Sequence, residues 1–328
     1  MGKLLFLSFH MGKLPLRCDF HKTLITKLPK AHKRYWTIAK CKPLEKCLIL
    51  KENTYICNMN RIVSITLLVI FTSLLFGANA QTGSDLFGVF SDKATKLQGK
   101  KLRYREVLTA PQDTAQSILV IYLHGGSGSG SDNKKQMKSP AVGKIYDYLN
   151  GNNIKAYYLV PQCPGNASWN GDAPRQRNRG GRPSSGEHRS REPQQCEAYN
   201  KYVKALADYY VREFGVDSTR IYVFGSSMGG QDVWYLLADY PDFFAAAMVA
   251  SGGYRGHHTT PLARTPIICT RGALEARVEQ VKQLIDDINL FGGNAVFQLL
   301  EGLDHHEATS AAFTPERIGW VLSHQRKP

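Results

Sequence analysis

From Lys101 onward, short apolar runs alternate with longer segments of helical periodicity, and this alternation limits the possible folds more than any other feature of the sequence. The runs are largely apolar on both faces, which is typical of buried strands. They lie at 117–123, 156–160, 221–224, 245–250, 266–269 and 295–300. The helical segments lie at 141–149, 197–214, 229–240, 276–291 and 315–324. The pattern predicts an α/β fold with a mostly parallel central sheet and helices on both faces, and residues 81–328 suit a single domain of this kind.

One segment, at about 166–195, interrupts this alternation. It has no apolar period and is rich in Gly, Ser, Pro and Arg. Loops of this length inside a compact domain are usually functional or mobile. We therefore predict that Arg175, Arg177 and Arg179 contribute to substrate binding, with a solvated insertion as the alternative.

The positive charge of the chain is concentrated at its start. The formal net charge is +15, but residues 1–58 hold 12 Lys and Arg against 3 Asp and Glu. From Gln81 onward there are 29 basic and 24 acidic residues, a net charge of only +5. A nucleic-acid partner, which a strongly basic domain would favour, is therefore not expected.

Residues 59–80 have the three parts of a secretory signal peptide. Arg61 supplies the basic region, 62–76 the apolar core, and Ala78-Asn79-Ala80 a small-residue cleavage site. We expect translation to begin at Met59, residues 1–58 to be a doubtful leader, and the mature protein to be secreted or periplasmic without stable membrane insertion. The alternative is that 62–76 remains as an uncleaved anchor behind a basic cytoplasmic tail.

Three cysteines follow Gln81. Cys163 and Cys196 flank the insertion, and because an exported protein meets an oxidising compartment we predict a disulfide between them, with two free thiols as the alternative. Cys269 lies in an apolar run and is expected to be a buried thiol. No C-x-x-C pair is present, so a zinc site built from cysteine is not expected.

Gly225-Ser226-Ser227-Met228-Gly229 matches G-x-S-x-G, the motif in which a nucleophilic serine lies on a tight turn between a strand and a helix. A buried-strand pattern precedes it and a helical pattern follows, so the context fits the motif. Ser227 is the predicted nucleophile, and a structural turn serine is the alternative.

A serine nucleophile needs a histidine base and a carboxylate that orients it, in the chain order Ser, acid, His. His305 lies in the predicted loop beyond the last apolar strand and is preferred to His257 and His258. Glu275 follows the strand at 266–269, at the sheet edge where such sites assemble. Competing acids lie in the next helical segment or directly beside the base: Glu279, Asp286, Asp287 and Asp304.

The same chemistry needs backbone N–H groups that bind the developing oxyanion. We predict the amide of Met228, directly after the nucleophile, and that of Gly126, in the glycine-rich loop after the first apolar strand. This loop lacks the lysine and spacing of a nucleotide-binding loop, and His305-His306-Glu307 lacks the second histidine of H-E-x-x-H. Neither a metal nor an organic cofactor is expected.

The motifs together resemble secreted esterases of the α/β-hydrolase superfamily, related to feruloyl and acetyl-xylan esterases and poly(3-hydroxybutyrate) depolymerases. The resemblance rests on 123–126 with 131–133 and Gln136, on 160–164 with Trp169, on 227–230 with Trp234, and on 304–305. It implies the α/β-hydrolase fold and a triad of Ser227, Glu275 and His305, although Asp is commoner than Glu at the acid. The Arg-rich insertion is not part of the family's pattern.

These observations predict an exported serine esterase that acts on a small-molecule or polysaccharide ester, in particular on acyl groups carried by carbohydrate. Trp169 is a further expected substrate contact. The alternatives are a serine peptidase of the prolyl-oligopeptidase type, although no propeller domain precedes residue 100, and a non-catalytic glycan-binding module.

Overall fold

The computed structural model describes residues 85–171, 196–256 and 258–327, which contain an eight-stranded sheet. The leader, the signal-peptide segment, Arg175, Arg177, Arg179 and His257 lie outside the described residues. The strands are β1 Ser91–Leu97, β2 Lys100–Leu108, β3 Ile118–Leu123, β4 Ala156–Gln162, β5 Ile221–Ser226, β6 Ala246–Ala250, β7 Ile267–Gly272 and β8 Ala295–Leu300.

The strand order is β1-β2-β4-β3-β5-β6-β7-β8. Strands β3 to β8 run parallel to one another, whereas β2 pairs antiparallel with both β1 and β4. The six predicted strands and the mostly parallel sheet are confirmed. The sequence pattern missed β1 and β2. Most of β1 is exposed, and β2 carries charged residues between its apolar ones although only its first two residues are exposed.

The helices of the described chain are α1 Pro140–Gly151, α2 Asn200–Phe214, α3 Met228–Asp239, α4 Val278–Leu290, α5 His305–Ala311 and α6 Pro315–Leu322. Buried residues of α1 and α6 form one apolar cluster with the even-numbered residues of β3, and those of α2, α3 and α4 form another with its odd-numbered residues. Because both faces of β3 are covered, all six of its residues are buried. Its sequence therefore shows no polar alternation.

The carboxyl ends of parallel strands meet at one edge of a sheet, where sites in open α/β folds assemble. Here the ends of β5, β6, β7 and β8 are followed by Ser227, Ser251, Glu275 and His305, respectively. In the part of the chain that the structure describes, no helix combines the length and apolar character needed to cross a bilayer.

Candidate active site

Ser227 occupies the turn between β5 and α3, with φ 54° and ψ −113°, a conformation that costs free energy for a residue with a Cβ. Its amide donates to the carbonyl of Ala250 at 2.8 Å, which holds the turn against β6. The flanking glycines make the turn possible, since a Cβ on Gly229 would overlap the carbonyl of Leu123 and one on Gly225 would overlap the carbonyl of Gly229. The structure thus has the strand, tight turn and helix that the motif predicts.

His305 connects this serine to a buried acid. The Oγ of Ser227 lies 2.9 Å from Nε2 of His305, and Nδ1 of His305 lies 2.7 Å from Oε2 of Glu275. An ionised carboxylate only accepts hydrogen bonds, so Nδ1 carries the ring proton and Nε2 is left as an acceptor for the serine hydroxyl. This is the arrangement that serine hydrolases use to activate their nucleophile.

The environment of Glu275 keeps its side chain ionised. The carboxylate is only 3% exposed, and burial by itself raises its pKa. Hydrogen bonds from His305, from the Ser251 hydroxyl at 2.6 Å and from the Gly272 amide at 2.9 Å, together with the charge of Arg271, outweigh burial and lower the pKa to about 2. Glu275 is therefore negative at any pH at which the histidine can act as a base.

His305 is the first residue of α5, and not a loop residue as the sequence suggested. Asp304 caps this helix: its Oδ1 accepts from the amides of His306 and Glu307 at 2.9 Å each, and the Glu307 side chain accepts from the amide of Asp304. A capping box of this kind fixes where a helix begins. Asp304, one of the competing predicted acids, thus caps the helix that begins at His305.

The other competing residues lie elsewhere. Glu279, Asp286 and Asp287 belong to α4, and none of the three borders the cavity at Ser227. His258 is exposed, and its carbonyl accepts from the Tyr254 hydroxyl at 3.1 Å. The structure therefore brings His305 and Glu275, and none of these rivals, to Ser227.

The two predicted oxyanion donors both border the same cavity as Ser227. Met228 is the first residue of α3, and Gly126 is the first residue of the 3₁₀ helix Gly126–Gly128. Amides in a first turn have no acceptor within their own helix, so they are available to a ligand. The glycine loop lies close to Ser227: a Cβ on Gly125 would be 3.2 Å from the Cβ of Ser227.

Two buried side chains that the sequence reasoning missed hold this loop against the end of β4. His124 donates from Nδ1 to the carbonyl of Gly125 at 2.7 Å and accepts at Nε2 from the amide of Cys163 at 3.0 Å. Burial lowers the pKa of His124 to about 4, so the ring stays neutral and can make both bonds. Gln162 donates to the carbonyl of Gly128 at 3.1 Å. The only sequence signal for these roles was their place within the family-like motifs.

The prediction that Trp169 contacts the substrate is wrong. Its side chain is fully buried, its indole N–H donates to the carbonyl of His124 at 3.1 Å, and its ring packs 5.0 Å from the imidazole of His124. Trp169 therefore supports the glycine loop from the core side, while its neighbours Ser168 and Asn170 border the cavity.

The predicted disulfide between Cys163 and Cys196 is also absent from the structure. Cys163 is packed in the core, where burial raises the pKa of its thiol well above the usual range. The thiol of Cys196 donates instead to the Ser168 hydroxyl at 3.3 Å. Cys269 is buried as expected, and burial raises its pKa to about 12.

Ser227 opens into a cavity of 1410 Å³ that also borders the glycine loop, His305 and the start of α4. Pockets for drug-sized molecules are usually about 300 to 1,000 Å³, so this cavity is larger than that range. Within 85–171, 196–256 and 258–327, no group of three or more His, Cys, Asp or Glu side chains fits a metal ion.

Comparison with solved structures identifies the architecture. A thermostable esterase superimposes with a TM-score of 0.61 and 23% identity over 74% of this chain and 64% of its own. The chain has the α/β-hydrolase fold. A feruloyl esterase module from Clostridium thermocellum, solved with sinapinate, has a TM-score of 0.50 and 12% identity over 73% of this chain and 89% of its own. A fluorophosphonate-binding serine hydrolase of Staphylococcus aureus has a TM-score of 0.50 and 14% identity over 71% and 98%.

Sequence comparisons add one partial match. The model of the prolyl oligopeptidase family matches residues 197–259, which contain α2, β5, Ser227 and α3. The match covers Ser227 and its turn, but neither Glu275 nor His305. Comparison with curated protein sequences finds no match.

Proposed function

We propose that this protein is an exported serine esterase that hydrolyses carboxylic esters through an acyl-enzyme intermediate. The observation that carries the proposal is the continuous chain from the Ser227 hydroxyl to Nε2 of His305 at 2.9 Å and from Nδ1 of His305 to Glu275 at 2.7 Å. These three hydrogen-bonded side chains lie at the carboxyl edge of an α/β-hydrolase sheet, beside the first-turn amides of Met228 and Gly126.

In the first half-reaction, Nε2 of His305 accepts the proton of Ser227 as Oγ attacks the ester carbonyl carbon. The carbonyl oxygen becomes negative and is bound by the amides of Met228 and Gly126. The C–O bond to the alcohol then breaks, and the imidazolium returns the proton to the departing oxygen. Water, deprotonated by the same nitrogen, attacks the acyl-enzyme and releases the acid. The side chain of His305 is 53% exposed, which gives water a route to the ring.

Acyl groups on carbohydrate are the proposed substrates. The motifs shared with feruloyl and acetyl-xylan esterases support this, and the cavity volume of 1410 Å³ suits a saccharide larger than one sugar ring. Export is supported by the signal-like pattern of residues 59–80. Arg175, Arg177 and Arg179 remain proposed substrate contacts.

A second candidate is a serine peptidase, which the match of residues 197–259 to the prolyl oligopeptidase family favours. Both candidates use the same serine and histidine, so substrates must separate them. We expect acetylated xylo-oligosaccharides and nitrophenyl acetate to be turned over by the wild type and not by Ser227→Ala, and prolyl nitroanilides to be inert. Faster cleavage of the nitroanilide would favour the peptidase, and no turnover of any of them would favour a glycan-binding module.

A further inference from the structure

Cationic side chains border the cavity at Ser227, and among the described residues no Asp or Glu borders it. The cations come from the 3₁₀ helix Lys135–Lys138, from the loop after β6, from the end of β7 and from the residue before α4. They are Lys135, Lys138, Arg255, Arg271 and Arg277. A cavity lined with one sign of charge raises the local concentration of ligands of the opposite sign.

Two of these cations already have acidic neighbours. Arg271 lies 3.7 Å from the Glu275 carboxylate. The pKa of Asp132 is lowered mainly by a hydrogen bond from Gln162, and the nearby charge of Lys135 lowers it further. The remaining three are Lys138, Arg255 and Arg277, which are exposed. Within the described chain, none of these three forms an ion pair.

The backbone of Arg277 gives an independent reason to assign it a ligand. It has φ 64° and ψ 31°, the left-handed region, and it is the N-cap of α4 without making a capping hydrogen bond. Asn, Asp or Gly would suit both the conformation and the cap better. Arginine therefore has no local structural advantage here, while its side chain borders the cavity. A strained residue at a site is a reason to look for function.

We infer that the alcohol part of the substrate is an acidic saccharide, whose carboxylates bind Arg277, Arg255 and Lys138. This inference rests on the proposed esterase function. The three cations stand on separate elements around one large cavity, which suits several charges along a chain better than one charged acyl group. The guanidinium groups of arginine bind carboxylates through two parallel hydrogen bonds. The first turn of α4 also borders the cavity, and the positive end of its helix dipole adds to the positive potential there.

The test compares acetylated oligogalacturonate with an acetylated xylo-oligosaccharide of equal length, in low and high salt. We expect the wild type to have a kcat/KM at least about tenfold higher on the acidic substrate, the factor that one charge-assisted hydrogen bond supplies. Raising the salt should reduce this preference, because exposed charges are screened. Equal kcat/KM values on the two substrates would overturn the inference.

Arg277→Asn is the decisive variant, because asparagine tolerates the left-handed conformation and caps helices well. We expect its Tm to be unchanged or higher while the preference for the acidic substrate falls several-fold. Lys282→Gln is the matched control, since it removes one exposed charge from α4 away from the cavity. If Arg277→Asn prefers the acidic substrate as strongly as Lys282→Gln does, Arg277 is not part of such a site. Turnover of 4-nitrophenyl acetate by the wild type, measured in parallel, distinguishes failure of this inference from failure of the esterase proposal.

Discussion

Replacing Glu275 with Gln should remove most of the activity, because the two carboxylate oxygens have different partners. Oε1 accepts from the Gly272 amide at 2.9 Å and from the Ser251 hydroxyl at 2.6 Å, while Oε2 faces Nδ1 of His305 at 2.7 Å. A backbone amide can only donate, so the first position must keep an acceptor. The glutamine carbonyl oxygen should therefore face Gly272, and its NH₂ group should face His305.

An NH₂ group at that position forces Nδ1 of His305 to act as an acceptor, which moves the ring proton to Nε2. Nε2 then no longer accepts the proton of Ser227. A wrong tautomer of this kind costs about 10⁴ in kcat in the serine proteases, which corresponds to about 5 kcal/mol of transition-state stabilisation. We expect a loss of this order in kcat on 4-nitrophenyl acetate.

The matched control is Glu279→Gln, which makes the same chemical change at an exposed position near the start of α4. It should retain the wild-type kcat. If Glu275→Gln stayed within tenfold of the control, Glu275 would not be the residue that sets the histidine tautomer, and the assignment of the triad acid would be refuted.

Three further predictions concern the oxyanion loop, pH and the thiols. Gly126→Pro should lower kcat by about 10² to 10³ because it removes one oxyanion N–H, whereas Gly126→Ala keeps it and has room for a Cβ; equal losses would contradict this role. Because the folded-state pKa of Glu275 is depressed to about 2, its ionisation should stabilise the fold by about 3 kcal/mol above pH 5. That contribution should be lost as the pH falls through 2. The free energies of unfolding of the wild type and of Glu275→Gln, measured by denaturant titration, should therefore converge towards low pH. A difference that does not change with pH would contradict this prediction. Without a bond between Cys163 and Cys196, a reducing agent should leave the Tm unchanged, and a Tm several degrees lower would show a disulfide.

The central part of the fold could be predicted from sequence because buried parallel strands and amphipathic helices have strong, distinct patterns. Ser227 could be predicted because a local motif defines its turn. His305 and Glu275 could be placed by their positions after β8 and β7, since parallel strands bring their carboxyl ends to one edge. Each of these inferences depends on sequence order rather than on side-chain packing.

The remaining features depend on packing that a linear pattern does not contain. Trp169 lies in a polar-looking segment, yet tertiary contacts with His124 bury it completely. Spacing around the insertion suggested a disulfide, but Cys163 packs in the core while Cys196 bonds to Ser168. Ser251, which binds Glu275, has no motif of its own and was found only from the geometry.

The most direct test of the proposed nucleophile is to treat the wild-type protein with a fluorophosphonate probe and to locate the adduct by peptide mass spectrometry. An activated serine reacts covalently with such a probe, whereas an unactivated surface serine does not. We expect one adduct per chain, on the peptide that contains Ser227, and none in Ser227→Ala. Absence of labelling in a folded wild-type protein, or an adduct that persists in Ser227→Ala, would contradict the account.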